Sequence, residues 1–223
     1  MSNIIITHNA IIPNALAYNP IAYNPLAYNP ITSNAIVSNK LSKQRLSKQP
    51  HIIEYRARFK HHLTTTRFNN LTWSENEAYR QQNQKIGCIY PTTEPNGQTM
   101  PEEANLFVLE MNNEQNRIMG IGLVKNKPIY NKYHVYSDPK YNCYAYLGKN
   151  RIDRLQMTID EERIMKVFDI LCFKGSRHMK RLVGLKAFPI DMLYNCSTVF
   201  DLVEFITNMF RERIKTPVKD CNG

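Results

Sequence analysis

The chain has 223 residues, of which 43% are hydrophobic and 22% are charged, and its formal net charge is +10. This composition suffices for one packed domain with an appendage. No window approaches ~18 uninterrupted apolar residues, which argues against a membrane span, and the five separated cysteines, which form no Cys-x-x-Cys pair, argue against a disulfide framework and a zinc clip.

Basic residues dominate the charge of the chain. A basic domain attracts polyanions through the release of counterions, whether or not it reads a sequence. Charge kept for solubility explains the same composition. We expect a soluble protein of a reducing, intracellular compartment that binds nucleic acid, with no membrane contact, no metal and no cofactor.

Residues 6–50 consist of nine consecutive pentapeptides, each of which opens with Ile or Leu. A five-residue period can build a pentapeptide-repeat β-helix, but here Asn stands two residues before the apolar position and Pro recurs between them. We therefore predict that residues 1–50 form a low-complexity, largely disordered arm, because Pro and Asn keep it from packing. Its last copies, LSKQRLSKQP, are basic and favour weak contact with nucleic acid or a partner.

Folded structure is predicted from His51 onward, and its first elements are short. The segment HIIEYRARFKHHL suits either a helix or a strand. Residues 69–80 suit a helix that Thr72 or Ser74 caps, with acidic residues in its first turn. A strand is predicted for KIGCIY, and a turn-rich loop follows at residues 91–103.

Three strands and a long loop are predicted between residues 106 and 154. The runs LFVLEM and IMGIGLV flank a polar turn, and YNCYAYLG alternates aromatic and small side chains as a half-buried strand does. Gly120 and Gly122 leave one face of the second strand bare, so another group can lie against its backbone. Six of the thirteen tyrosines lie between Tyr130 and Tyr146, interleaved with lysines. This mixture suits a ligand whose bases stack and whose phosphates need cations.

Helices are predicted in the C-terminal part of the chain. A capping box at Thr158 opens a helix to about Cys172, and Ser197 or Thr198, together with Asp201, starts a last amphipathic helix through about Arg213. Together the elements predict one α+β domain over residues 51–215, followed by a flexible tail over residues 216–223.

The run NLFVLEM to NRIDR resembles the PUA-like superfamily, and within it domains of the EVE and YTH types. In these families a strand with a hydrophobic-Gly-hydrophobic-Gly motif, like MGIGLV here, precedes a loop and a strand with a Tyr and an Arg, like residues 146–151. Trp73 resembles the aromatic residue that such domains place beside a flipped or modified base. The resemblance implies a small mixed β-barrel with peripheral helices that holds one base in an aromatic cage. Because Trp73 is the only tryptophan, a Tyr or Phe would complete the cage.

The amino-acid composition is rich in Asn, Ile, Lys and Tyr. Together with the expanded pentapeptides, it resembles that of proteins from large nucleocytoplasmic DNA viruses. This resemblance implies a location in the host cytoplasm, the viral factory or the virion. It also implies viral protein partners for the arm of residues 1–50. The alternative function is therefore a viral structural or virion-associated interaction protein without nucleotide specificity.

The leading prediction is a non-catalytic nucleic-acid-binding module that recognises a modified or flipped base in an aromatic pocket. Tyrosines that do not alternate with a strand are the better candidates for ligand contact, whereas Tyr146 and Trp73 could equally belong to the core. The basic residues around Gly175 could clamp phosphate or form a solvated turn. No acid pair, activated nucleophile or metal-ligand spacing predicts catalysis. The predicted nucleic-acid-binding residues are Trp73, Gly120, Gly122, Tyr130, Tyr133, Tyr136, Tyr146, Lys149, Arg151, Arg177, Lys180 and Arg181.

Overall fold

A computed structural model describes residues 49–95, 100–181 and 184–215 of the chain. All of these fall within one compact unit. The predicted arm, apart from Gln49 and Pro50, and the predicted tail lie outside the described residues.

Short helices and strands alternate along the first half of the domain, and longer helices follow. In chain order the helices and strands are α1 (Pro50–Ala57), β1 (His61–Phe68), α2 (Asn70–Gln82), β2 (Cys88–Thr92), β3 (Asn105–Asn112), β4 (Arg117–Lys125), β5 (Ile129–Tyr130), β6 (Tyr144–Gly148), β7 (Asn150–Asp153), α3 (Ile159–Phe173), β8 (Lys186–Ala187), α4 (Ile190–Ser197) and α5 (Leu202–Lys215). Two 3₁₀ turns, Pro139–Asn142 and Arg154–Gln156, flank β6 and β7.

The strands form two sheets. The larger sheet has the order β7-β4-β3-β1-β8, in which β1 and β3 are parallel and the other neighbours are antiparallel. The smaller sheet has the order β2-β6-β5 and is antiparallel throughout. The parallel pair needs a crossover connection, and the chain between β1 and β3 supplies it with α2 and β2.

The larger sheet is buried on both of its faces. Leu106 of β3 belongs to one hydrophobic cluster with Tyr90 of β2, whereas the next residue, Phe107, belongs to another cluster with Phe210 of α5. Successive strand residues point to opposite faces, so the smaller sheet covers one face and the helices cover the other. This explains why residues 106–109 of β3 form an uninterrupted apolar run, as strands buried on both sides do.

One predicted helix start is confirmed by its hydrogen bonds, and another is corrected. The backbone N–H of Thr158 donates to Glu161 Oε2 over 2.8 Å, and the Thr158 hydroxyl accepts from the Glu161 N–H, which completes the capping box of α3. The cap of the last helix was predicted at Ser197 or Thr198, but these residues end α4, and Asp201 Oδ1 accepts from the N–H groups of Val203 and Glu204 at the start of α5. Such caps stabilise a helix by about 0.5–2 kcal/mol.

The α+β class is confirmed, but the predicted barrel is wrong: both sheets are open within the described residues. Closure would require the free edges to pair, and the edge strands β5 and β8 are only two residues long. The sheets approach each other at one corner, where the chain passes from β6 to β7. There a side chain at Gly148 would collide with the Leu123 carbonyl.

Two further local predictions are corrected. The segment from His51 is both helix and strand, because α1 ends before β1 begins. The cap of α2 is Asn69, and not Thr72 or Ser74. Helix α4 was not predicted. Its N-cap is Pro189, which has no polar side chain that could cap the helix and so gives no capping signal in the sequence.

Candidate nucleic-acid site

A cavity of about 270 Å³ lies where β1 and β2 end and α2 begins. We call it the tyrosine cavity, because Tyr136 and Tyr141 of the tyrosine-rich loop line it. Its volume falls just below the range of ~300–1,000 Å³ that is typical of sites for drug-sized ligands. A single small planar group is therefore the size of ligand that it suits.

The turn from β1 into α2 forms one part of the cavity lining. Asn69 Oδ1 accepts from the Thr72 N–H over 2.7 Å, and the Asn69 N–H donates to Thr72 Oγ1 over 3.1 Å. Both residues line the cavity. This reciprocal pair of bonds starts α2 and at the same time fixes the shape of the lining.

The tyrosine-rich loop is held in place by a buried asparagine. Asn142 Oδ1 accepts from the N–H groups of Val135 and Tyr136, both over 3.0 Å, and its amide donates to the Tyr136 carbonyl over 2.7 Å. Glu75 of α2 accepts from the Ser137 N–H over 3.0 Å. These bonds preorganise the loop, which lowers the entropic cost of binding a ligand there.

The two tyrosines of the cavity meet edge to face. Their ring centroids are 6.5 Å apart with an interplanar angle of 85°. Burial raises the pKa of Tyr136, so its hydroxyl stays protonated at neutral pH. Tyr141 is 43% exposed, which leaves part of its ring accessible for stacking.

Arg67 and Asn113 connect the cavity to the basic turn of residues 174–181. The Arg67 guanidinium donates to the Lys180 carbonyl over 2.7 Å, and the Asn113 amide donates to the same oxygen over 3.0 Å. Arg67 and Asn113 both line the cavity. The carbonyl of the predicted residue Lys180 therefore lies beside the cavity, whereas its ammonium nitrogen lies 6.0 Å from the centre of the Phe173 ring. The predicted residue Arg181 follows it in the chain.

One polar atom at the cavity has no partner. Asn113 Oδ1 is buried and accepts no hydrogen bond from the described residues. A buried acceptor left unpaired costs about 1–3 kcal/mol, and a ligand N–H in the cavity would remove that cost. Thr66, Thr72, Thr92 and Thr93 add further polar atoms to the lining.

A second polar group lies between the two sheets, and we call it the buried charge cluster: Tyr90, Glu110, Arg151 and Asp153. The Arg151 guanidinium donates to both oxygens of Glu110, at 3.0 and 2.7 Å, and to Asp153 Oδ2 at 2.7 Å. The Tyr90 hydroxyl donates to Glu110 Oε1 at 2.8 Å. The Glu110 side chain is 0% exposed and that of Arg151 is 8% exposed.

The protonation states of the cluster follow from these contacts. Burial opposes the charge of Arg151, but Glu110 and the hydrogen bond to Asp153 outweigh it and raise the pKa of Arg151. Burial also opposes the charge of Asp153, yet the hydrogen bond from Arg151 leaves the pKa of Asp153 lowered. Burial raises the pKa of Tyr90 far above its usual value, so this hydroxyl remains a donor.

Gly120 and Gly122 accommodate this cluster. A Cβ at Gly120 would lie 2.7 Å from both Arg151 Nη2 and Glu110 Oε2, and one at Gly122 would collide with the Tyr90 hydroxyl. The bare strand face therefore does admit another group close to its backbone. In the structure that group consists of the protein's own side chains.

Trp73 is half-buried and packs edge to face against Phe68, at 5.3 Å between ring centroids. The guanidinium carbons of Arg80 and Arg151 lie 5.7 and 5.6 Å from the centre of its ring. Cation–π contacts of this kind contribute about 0.5–2 kcal/mol. Trp73 thus contacts the buried charge cluster and is not among the residues that line the tyrosine cavity.

The other predicted residues lie apart from one another. Tyr146 is fully buried between the sheets, and Lys149 is exposed at the passage from β6 to β7. Tyr130 is 68% exposed and leans on Tyr144 with ring centroids 5.2 Å apart. Tyr133 is half-buried against the outer face of the smaller sheet.

Arg177 lies at the start of the basic turn and makes an ion pair. Its guanidinium donates to Asp191 Oδ2 over 2.7 Å, and the Arg177 side chain is 41% exposed. An exposed pair of this kind contributes about 0–1 kcal/mol to stability. The residue therefore belongs to the side of the basic turn that faces α4.

Residues of both sites were missed in the sequence, among them Tyr90, Glu110 and Asp153 of the cluster and Arg67, Asn113 and Tyr141 of the cavity. Glu110 had a signal, because an acidic residue inside the apolar run LFVLEM must find a buried partner. Tyr141 belongs to the tyrosine-rich segment and could have been included with its neighbours. Arg67 and Asn113 had no local signal, since only the pairing of β1 with β3 brings them together.

Comparisons of the chain with protein-family models, with curated proteins and with solved structures give no match. In the described part of the chain, no helix combines the length and the apolar character that crossing a membrane requires. The geometry and charge of the sites are therefore the observations on which a function can be proposed.

Proposed function

We propose that this domain is a non-catalytic nucleic-acid-binding module that takes one base of a single strand into the tyrosine cavity. The observation that carries the proposal is the convergence of Tyr136, Tyr141 and the unpaired acceptor Asn113 Oδ1 in one cavity beside the basic turn. Each of these groups matches one part of a nucleotide.

The groups at the cavity match the base and the phosphate of a nucleotide in their chemistry. Aromatic rings stack on bases, and each such contact contributes ~1–3 kcal/mol. Asn113 Oδ1 would accept a hydrogen bond from a base N–H, which specifies orientation. Arg67, with Lys180 and Arg181 next to it, would contact phosphate oxygens, because most contacts of such proteins go to the backbone. A base reaches a cavity of this kind only from a single strand or when it is flipped out of a duplex.

The resemblance to PUA-like domains enters the proposal in a restricted form. A base held by aromatic rings is common to both, but the domain has two open sheets in place of a barrel. The proposed base lies in the tyrosine cavity and not beside Gly120 and Gly122, where Glu110 and Arg151 already lie. Tyr136, Lys180 and Arg181 remain as members of the predicted site.

The test is fluorescence anisotropy with short labelled oligonucleotides, single-stranded and duplex, DNA and RNA. We expect single strands to bind more tightly than duplexes, with an affinity that falls steeply between ~50 and ~200 mM salt. Absence of any salt-dependent binding at the lower salt concentration would refute the proposed function.

A pair of matched variants tests the location. Replacing Tyr141 by Ala removes an accessible ring from the cavity, so we expect roughly 5- to 150-fold weaker binding. Tyr130→Ala removes the same side chain from the same loop but away from the cavity, and we expect less than about a twofold change. If Tyr130→Ala weakens binding and Tyr141→Ala does not, the strand lies on the exposed face of the loop and the cavity is not the site.

A further inference from the structure

A larger cleft of about 710 Å³ lies between α1, the start of β1, the basic turn and the segment from β8 into α4. We call it the histidine cleft, because His61, His62 and His178 line it. Its volume falls within the range of ~300–1,000 Å³ for small-molecule sites. It shares no described lining residue with the tyrosine cavity.

The floor of the histidine cleft is apolar. Leu63, Met179, Phe188, Leu193 and Val203 line it, and each is less than 5% exposed. Aliphatic side chains predominate among them, and they offer no hydrogen-bonding atom to a ligand. A flexible hydrocarbon body would therefore be favoured on this floor, since burial of apolar area stabilises it by about 25 cal/mol per Å².

The rim of the cleft carries the charge. Exposed Arg56 and Arg177 both line it, and the one acidic group among its described lining residues, Asp191, already accepts from Arg177 over 2.7 Å. The described lining therefore contains two guanidinium groups and one carboxylate.

His178 supplies a buried polar atom. Its Nδ1 is inaccessible to solvent and has no hydrogen-bond partner among the described residues. A polar atom in this state has a cost that a bound ligand oxygen would relieve. The residue follows Arg177 in the chain, and both line the cleft.

We propose that the histidine cleft binds an anionic amphiphile: a ligand with an aliphatic body on the apolar floor and one carboxylate at Arg177 and His178. A phosphate head group has the same charge chemistry and is distinguished from a carboxylate by the experiment. The site is separate from the proposed nucleic-acid site, so either proposal can fail without the other.

A metal ion is not the ligand that this geometry favours. In the part of the chain that the structure describes, no three His, Cys, Asp or Glu residues are grouped closely enough to hold one. His61 and His62 are adjacent on a strand and therefore point to opposite faces. His61 also stacks on Phe107, at 4.6 Å between ring centroids.

Affinity for the amphiphile should depend on pH. Burial lowers the pKa of His61 and of His62, and the neighbouring cations Lys60 and Arg56 lower them further, so both rings are neutral at pH 7. A bound anion favours the protonated ring and raises these pKa values. Binding therefore takes up protons, and it strengthens as the pH falls below 7 while the ligand itself stays ionised. Asp191, held by Arg177, is the opposing charge at this rim.

The experiment is isothermal titration calorimetry of the full chain with four probes, the two long-chain anions being kept below their critical micelle concentrations. These probes are dodecanoate, dodecyl phosphate, dodecanol and acetate. We expect dodecanoate to bind with one-to-one stoichiometry and a negative heat-capacity change, dodecanol to bind at least tenfold more weakly, and acetate not to bind. Tighter binding of dodecyl phosphate would support the site and identify phosphate as the head group. Equal affinity for dodecanol, or no binding of either anion, would overturn the proposal.

Blocking variants test the location. Ser176 and Ala187 are exposed residues that line the cleft, so Ser176→Trp or Ala187→Trp should fill it without disturbing the core, and we expect at least tenfold weaker binding of dodecanoate. Ser74→Trp, an exposed position on α2, is the control and should bind like the unmodified protein. Arg177→Gln should weaken the binding of dodecanoate roughly tenfold and leave the affinity for dodecanol nearly unchanged. If both blocking variants bind dodecanoate like the control, the ligand does not occupy this cleft.

Discussion

The buried charge cluster and the tyrosine cavity are both polar regions of one domain, yet they differ in how their polar groups are paired. In the cluster Glu110 accepts from both Arg151 and Tyr90. In the cavity Asn113 Oδ1 accepts no hydrogen bond from the described residues, and Tyr141 remains accessible. The polar groups of the cluster are thus paired within the protein, whereas under the proposed function those of the cavity would pair with a ligand. Substitutions in the two regions should separate these roles.

The largest expected effect is that of Glu110→Gln, which removes the fully buried carboxylate and leaves Arg151 with only Asp153 as a described carboxylate partner. Removing one partner of a buried ion pair costs about 3–5 kcal/mol, so we expect the free energy of unfolding to fall by that amount. Urea unfolding, followed by the fluorescence of Trp73 and by circular dichroism, measures it. The double variant Glu110→Leu, Arg151→Met should recover much of the loss, because both charges are then absent. A loss below about 1 kcal/mol would mean that water screens the cluster.

The next effect is that of Gly122→Ala, which forces a methyl group onto the Tyr90 hydroxyl. Overpacking of a core costs about 1–3 kcal/mol, and the displaced hydroxyl also loses its bond to Glu110. Thermal unfolding is the measurement. In a double-mutant cycle with Tyr90→Phe, part of the cost should disappear, because the hydroxyl that clashes is gone. Strict additivity of the two variants would contradict this contact.

A smaller effect on stability is expected in the tyrosine cavity. Asn113→Ala removes the bond from the amide to the Lys180 carbonyl and an acceptor that had no partner, so the loss should be about 0.5–1.5 kcal/mol. Affinity for single-stranded oligonucleotides should fall as well, and anisotropy detects this at a temperature well below unfolding. Gly122→Ala is the matched control and should leave the affinity unchanged while the domain is folded. The comparison between the two regions breaks down if Asn113→Ala destabilises the protein more than Glu110→Gln does.

The smallest effect concerns acid pH. The pKa of Asp153 is lowered in the folded state, so Asp153 contributes stability that is present above its unfolded pKa of about 3.9 and is lost as the pH falls through the folded value. We expect unfolding free energies measured between pH 5 and pH 3 to decrease less steeply in Asp153→Asn than in the unmodified protein. Identical slopes would show that Arg151 does not hold this carboxylate.

Prediction from sequence succeeded where local chemistry is decisive. The capping box at Thr158 lies within a few residues of the bonds that it predicts, and the alternating pattern of YNCYAYLG marks a strand that begins at Tyr144. The glycine strand was also recognised as a place of close approach. The nature of the approaching group was not predictable, because Glu110 and Arg151 are 41 positions apart in the chain.

At the tyrosine cavity too, some residues were predictable from the sequence and others were not. Tyr136, Lys180 and Arg181 were predicted from composition, yet Arg67, Asn113 and Tyr141 complete the cavity and were not. Their convergence depends on the parallel pairing of β1 with β3, a long-range contact that leaves no periodic signal. Composition can therefore indicate that a loop or a basic turn is a candidate binding segment, but it cannot show that the two lie at one cavity.

Periodicity and capping act over a few residues, so the chain's own chemistry dictates its α+β content and its amphipathic helices. Burial acts between distant segments. Packing of the two sheets decided that Gly120 and Gly122 admit Glu110 and Arg151, and that Tyr146 lies in the core. It also decided that Asn113, whose Oδ1 accepts no hydrogen bond from the described residues, lines the tyrosine cavity. The physical reason is that a buried polar group takes whichever partner the fold brings within hydrogen-bond distance.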